Sequence, residues 1–180
     1  MTGSQTGRGD PGGAPGRLPR VVVLGWGNTA RGDDGLGPLL LDRIAGLGLP
    51  HVETIEDFQL QLEHALDLQG ADLALFVDAS VAADPPFAFT EVFPRAGLSH
   101  TSHAMAPEAV LDVHARVLGR SPPPAFVLAM RGERFELGDG LGEAAKAHLD
   151  AAFGFVAPLL ARPDAEVWRA AAGAASMRPV

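Results

Sequence analysis

Between Arg20 and Ala161, short continuous apolar runs take turns with longer helical stripes. Val21 to Leu24 and Leu73 to Val77 are unalternating, the pattern of strands buried on both faces. Val52 to Ile55 and Ala125 to Met130 read as two further strands, and the alternation of Phe87 to Phe93 marks a half-exposed or edge strand. A stripe of Leu39, Leu40, Ile44 and Leu47, with Pro38 suited to its first turn, predicts a first helix. Leu60, Leu62, Ala65, Leu66 and Leu68 predict a second, ending near Gly70. Pro107 to Leu118, with Val110, Leu111, Val117 and Leu118 inward, and Leu141 to Leu160 complete the set. Such alternation predicts an α/β three-layer sandwich, in which a mostly parallel, five-stranded twisted sheet carries helices on both faces.

The two ends differ from this middle. Residues 1–19 are dominated by Gly, Pro, Ser, Thr and Arg with almost nothing to bury, so a disordered tail is expected there. Arg8-Gly-Asp10 within it is read as a chance tripeptide. Residues 162–180 are Ala-rich and close on Arg-Pro-Val, the composition of a frayed helix or loose tail. One α/β domain is therefore expected over 20–161, a length able to bury a core without staples.

Charge and composition then narrow the partners. A formal net charge of −8 over 180 residues argues against nucleic acid, whose binders present a basic face. Cysteine is absent, which removes disulfides, thiol nucleophiles and thiolate metal sites, and leaves His, Asp and Glu as the strong metal ligands. No apolar run reaches the roughly 18 residues of a membrane span, and residues 1–19 lack the apolar centre of a signal peptide. A cytoplasmic protein without membrane contact is expected.

Candidate chemistry concentrates in Val21-Val-Val-Leu-Gly-Trp-Gly-Asn-Thr-Ala-Arg-Gly-Asp-Asp-Gly-Leu-Gly37, where a buried strand enters a glycine-rich turn bearing adjacent carboxylates. Asp34 follows the first strand, Asp78 ends the third, and His103 lies in a Ser/His-rich loop before a helix. Parallel strands bring their carboxyl ends to one rim, so two oxygen ligands and one nitrogen ligand can converge there as a three-ligand metal site with open positions. A helix N-terminus also favours a neutral imidazole at His103. Plainer roles compete. Asp33 or Asp34 can cap the helix beginning near Leu36, Asp78 can be a turn residue, and His100 and His103 can be surface side chains. His114 reads as a hydrogen-bonded histidine at the core edge, and His51, His64 and His148 as surface residues.

Gly25-Trp-Gly27 also opens like a dinucleotide fingerprint, with Ala30 at the third glycine position and Glu53 or Glu56 as the later acid. The two carboxylates at the helix entrance repel a pyrophosphate, so the turn suits a cation better. A non-catalytic nucleotide- or metal-binding α/β module is the alternative to an enzyme. No P-loop and no Gly-x-Ser-x-Gly nucleophile elbow is present.

The segment Leu24 to Gly37 resembles the N-terminal signature of the hydrogenase maturation proteases, endopeptidases that trim the C-terminus of the nickel-iron hydrogenase large subunit. Gln59-Leu-Gln-Leu-Glu-His64, Leu75-Phe-Val-Asp-Ala79, Ser102-His103 and the Phe126 to Leu137 strand and turn follow in the same order, so the similarity spans roughly Arg20 to Ala161. It implies cleavage of a large-subunit precursor after metal insertion. It also implies Asp34, Asp78 and His103 as the metal-contacting set, with nickel, the ion of the substrate hydrogenase, as the metal. Asp34 stands where several members have Glu, and His100 is a nearby competitor for the histidine role. Either the metal polarises the scissile carbonyl or activates water, or Asp34 or Asp78 acts as general base in an aspartic-type peptidase. No nucleotide cofactor is expected.

Overall fold

The computed structural model describes residues 17–96 and 105–175. Five strands, β1 (Val21–Trp26), β2 (Val52–Asp57), β3 (Leu73–Ser80), β4 (Phe87–Val92) and β5 (Ala125–Arg131), form one sheet in the order β2-β1-β3-β5-β4. All neighbours run parallel except β4, which pairs antiparallel with β5 at the edge. The helices are α1 (Leu36–Ala45), α2 (His64–Asp67), α3 (Pro107–Leu118), α4 (Glu143–Ala161) and α5 (Ala165–Ala175). The three-layer α/β arrangement read from the pattern is the one observed.

Strand alternation divides the core in two. Val21, Val23, Leu75, Val77, Phe126 and Leu128 face α1, α4 and α5, whereas Val22, Leu24, Ala74 and Phe76 face α2 and α3. All ten are essentially inaccessible, and each buried Val, Leu or Phe contributes about 1.5–3 kcal/mol relative to exposure. The central strands therefore hold the rim at their carboxyl ends rigidly.

Four local expectations change. The second helix shrinks to His64–Asp67, because the backbone before it is held by side chains: Asp57 accepts from Phe58 N–H (2.6 Å) and His64 Nδ1 from Gln61 N–H (2.9 Å). On α3, Val117 is exposed and His114 takes the inward position beside Val110 and Leu111. Leu47 lies beyond α1 and is exposed, its place in the stripe filled by Leu36 and Leu41.

The largest change is at 162–180. The part described there is no loose tail, for Ala165–Ala175 is a helix whose Trp168 is fully buried. Its ring meets Phe126 at 5.3 Å and Phe89 at 6.1 Å, and its Nε1–H donates to the Leu159 carbonyl (3.2 Å). An indole brings enough apolar surface to dock an otherwise alanine-rich helix.

Candidate active site

Because β1 leads through α1 to β2 on one side and the chain then crosses to β3 on the other, the sheet order reverses between β1 and β3. A crevice opens at such a switch point outside the carboxyl ends of the strands. Asp34 follows β1 and Asp78 lies toward the carboxyl end of β3, the two strands that flank this point.

Asp34 lies in one turn of 3₁₀ helix, Gly32–Gly35, immediately before α1. Its Oδ2 accepts from the Asn28 N–H (2.9 Å), so the carboxylate folds back over the end of β1. Gly27 makes this possible: its φ is +139° and a Cβ there would stand 2.0 Å from the Asp34 carbonyl oxygen. No side chain fits that approach.

Asp78 is within β3, on the same face as Phe76, with its backbone paired to Ala129 of β5. Burial, reinforced by the charge of Asp34, pushes its carboxyl up to about 7, although the Ala79 N–H and the Trp26 indole N–H both favour the ionised form. The two sequence-predicted carboxylates thus lie near enough for the charge of Asp34 to act on Asp78. Trp26 was not foreseen as part of the site; it packs edge-on to Phe76 at 6.4 Å, and its position as the last residue of β1 was the only signal.

His103 and its competitor His100 lie outside the described residues. The described chain resumes at Met105, which packs against the same apolar cluster as Trp26. Among the described residues, no group of three or more His, Asp or Glu is placed to hold a metal. Two carboxylates on one rim, one of them holding its proton near neutrality, are nonetheless a donor pair that a divalent cation would satisfy.

Asp33 proves not to be a helix cap. No side-chain cap bond exists at the start of the 3₁₀ turn or of α1. The side chain is 2% exposed, with Oδ2 accepting from Glu133 N–H (2.8 Å) and Arg134 N–H (3.0 Å) and Oδ1 from Gly142 N–H (2.9 Å). Burial alone would raise its pKa; these three donors, helped by the Arg134 charge, hold it below the usual carboxylate range.

The remaining histidines are structural and more buried than a surface reading allows. His64 is 8% exposed, its Nδ1 accepting from Gln61 N–H while Nε2 stands 3.5 Å from Asp57. His51 Nε2 bonds the Leu160 carbonyl (2.8 Å) and His148 Nδ1 the Arg131 carbonyl (2.8 Å). His114 is buried, as its stripe implied, but neither ring nitrogen makes a hydrogen bond of good geometry. Burial and the nearby Arg120 keep its pKa below the ordinary histidine value, against a weak pull from the Leu68 backbone.

The dinucleotide alternative loses its footing here. The Asn28 N–H, which would face a phosphate, is already taken by Asp34, and Glu53 is paired with Arg20. A phosphate would meet negative charge where it needs donors.

No protein-family model matches the chain, and no curated protein matches it. Solved structures do. The NiFe hydrogenase maturation protease HycI from Thermococcus kodakarensis KOD1 superposes with a TM-score of 0.63 at 21% identity, covering 80% of this chain and 94% of that one. The hydrogenase 2 maturation peptidase from Thaumarchaeota archaeon SCGC_AB-539-E09 gives 0.57 at 25% identity, covering 78% and 97%. The hydrogenase maturating endopeptidase HybD from E. coli gives 0.58 at 20% identity, covering 78% and 91%. Over the matched four-fifths of the chain, the fold is that of these peptidases.

Proposed function

We infer that this chain is a member of the hydrogenase maturation protease family, an endopeptidase that removes the C-terminal extension of a nickel-iron hydrogenase large-subunit precursor. The observation that carries this reading is the placement of Asp34 after β1 and Asp78 near the carboxyl end of β3, flanking the sheet's switch point, together with the ordered sequence signature that marks the same positions. The near-full coverage of peptidases of this kind at TM-scores of 0.57–0.63 supports it.

Asp78 is the proton-handling group. A carboxyl titrating at about 7 can take a proton from water at the scissile carbonyl and return it to the leaving amine near neutral pH. Asp34 supplies the second charge, polarising the same water and keeping Asp78 basic. This is carboxylate-pair chemistry, in which two groups are pushed apart in pKa by their surroundings.

Nickel enters as part of the substrate. Asp34 and Asp78, with His103 as the nitrogen donor implied by family resemblance, would recognise the ion already seated in the precursor. When bound, the ion supplies Lewis-acid polarisation of a neighbouring carbonyl. The work takes place in the cytoplasm, where the precursor is made, and no helix among the described residues is long and apolar enough to cross a membrane.

Incubating the full chain with folded precursor, with and without inserted nickel, tests the proposal by the mass of the product. A shortened C-terminus only on the nickel-loaded precursor is expected. An intact C-terminus in both samples overturns it.

A further inference from the structure

Asp33 sits next to a proposed catalytic carboxylate yet points away from it, into the segment that follows β5. Its three donors lie 100, 101 and 109 residues further along the chain. Backbone bonds run beside them: Asp33 N–H to the Arg134 carbonyl (2.7 Å), Gly32 N–H to the Asp139 carbonyl (3.0 Å) and Gly138 N–H to the Ala30 carbonyl (2.8 Å). Residues 30–33 and 133–142 are thus stitched together by three side-chain and three main-chain bonds. Gly32 lets them approach, since its φ is +55° and a Cβ there would stand 2.4 Å from the Arg134 carbonyl oxygen.

The bond described for the Asp34 carboxylate is the one from Asn28 N–H, six residues earlier, while its own N–H donates to the Arg31 carbonyl (3.2 Å) and its carbonyl packs on Gly27. The turn is therefore held on one side by its packing on Gly27 at the end of β1, and on the other, through Asp33, by the segment after β5.

We infer that Asp33 is the positioning residue of this site: its buried carboxylate, gripped by the Glu133, Arg134 and Gly142 N–H groups, anchors the Asp34 turn to the segment after β5 and so fixes where the Asp34 carboxylate stands. The catalytic consequence rests on the endopeptidase reading; the anchoring does not. Asp33 touches no substrate. It acts through Asp34, whose placement to within a fraction of an ångström decides whether water is held for attack.

Asp33→Asn keeps the size but turns an amide NH₂ toward backbone donors. On nickel-loaded precursor, kcat should fall on the order of a hundredfold while KM stays within about twofold, the split expected when only transition-state geometry is lost. Amide hydrogen exchange supplies a readout that needs no substrate: protection of the Asn28 N–H should drop in the variant while the core strands stay protected. Gly142→Pro is the second variant: the φ of −64° suits proline, and its ring carbon takes the place of the amide hydrogen that Asp33 Oδ1 accepts across 2.9 Å, so the donor is lost and the carboxylate is pushed out of its grip; at least about a tenfold loss of kcat is expected. It decides the matter should Asp33→Asn fail to fold.

Unchanged kcat, a loss confined to KM, or loss of kcat with Asn28 protection intact overturns the inference. If the wild-type chain cleaves no precursor, the endopeptidase reading falls. The exchange result then decides the anchoring by itself: retained Asn28 protection refutes it, and lost protection upholds it.

Discussion

Replacing Asp78 by asparagine should make the protein more stable and less active at the same time. An ordinary aspartate is charged above about pH 4 in the unfolded chain, whereas in the fold burial and the charge of Asp34 push Asp78 to about 7. The folded state therefore binds the proton more tightly than the unfolded one. Stability from this group is fully present below pH 3.8, the ordinary value, and is lost as pH rises through about 7. The gap, about 7 minus 3.8, is roughly 3 units, which at 1.36 kcal/mol each is a penalty of about 4 kcal/mol above neutrality. Near pH 5 the same linkage gives roughly 2 kcal/mol.

Asparagine has no charge to bury, so Asp78→Asn escapes this penalty, less whatever its poorer acceptance from the Ala79 and Trp26 donors costs. The expected signature is a stability advantage over wild type that grows by roughly 2–3 kcal/mol between about pH 5 and about pH 8. Urea unfolding followed by circular dichroism at the two pH values measures it, with chelator present so that no cation offsets the charge. Taking the difference between the two proteins cancels His114 and every other shared group that does not interact with Asp78. An advantage that does not change with pH would refute the reasoning, because it would mean that Asp78 titrates as an ordinary carboxyl. A variant less stable at both pH values would do the same.

Three further outcomes are expected. Trp26→Phe removes the indole donor that favours ionised Asp78, so the acid limb of the cleavage pH profile should move upward; a profile that stays in place separates Trp26 from Asp78. His114 is held below the ordinary histidine value of 6.5, so the native state binds fewer protons than the unfolded chain and stability declines as pH falls below that value; His114→Leu should flatten this acid loss in thermal melts, and an unchanged slope contradicts it. Trp168→Ala should cost about 3–5 kcal/mol in urea unfolding, the usual loss for a fully buried tryptophan, and a cost below about 1 kcal/mol would mean that α5 adds nothing to the core.

Much of the fold can be read from the chain because its strongest signals are local. The unbroken runs at Val21 and Leu73 have few conformations other than central strands, and once these are parallel, Asp34 and Asp78 must share a rim. What fails is what depends on partners distant in sequence. Asp33 looks like a helix cap until Glu133, Arg134 and Gly142 are seen to surround it, and no spacing announces a contact across a hundred residues. The second helix stripe is partly loop because Asp57 and His64 compete for the backbone that a helix would use. Alanine-rich composition hides α5, although a cap was legible: Asp164 accepts from Glu166 N–H (2.8 Å) and Val167 N–H (3.1 Å), the expected start of a helix.

The account depends on Asp34 and Asp78 acting together on one peptide bond. Intact-mass measurement of nickel-loaded precursor after incubation with wild type, Asp34→Asn and Asp78→Asn puts this most directly. Loss of the C-terminal extension with wild type alone, from three proteins that are all folded, is the predicted result; wild-type rates of cleavage by either variant would contradict it.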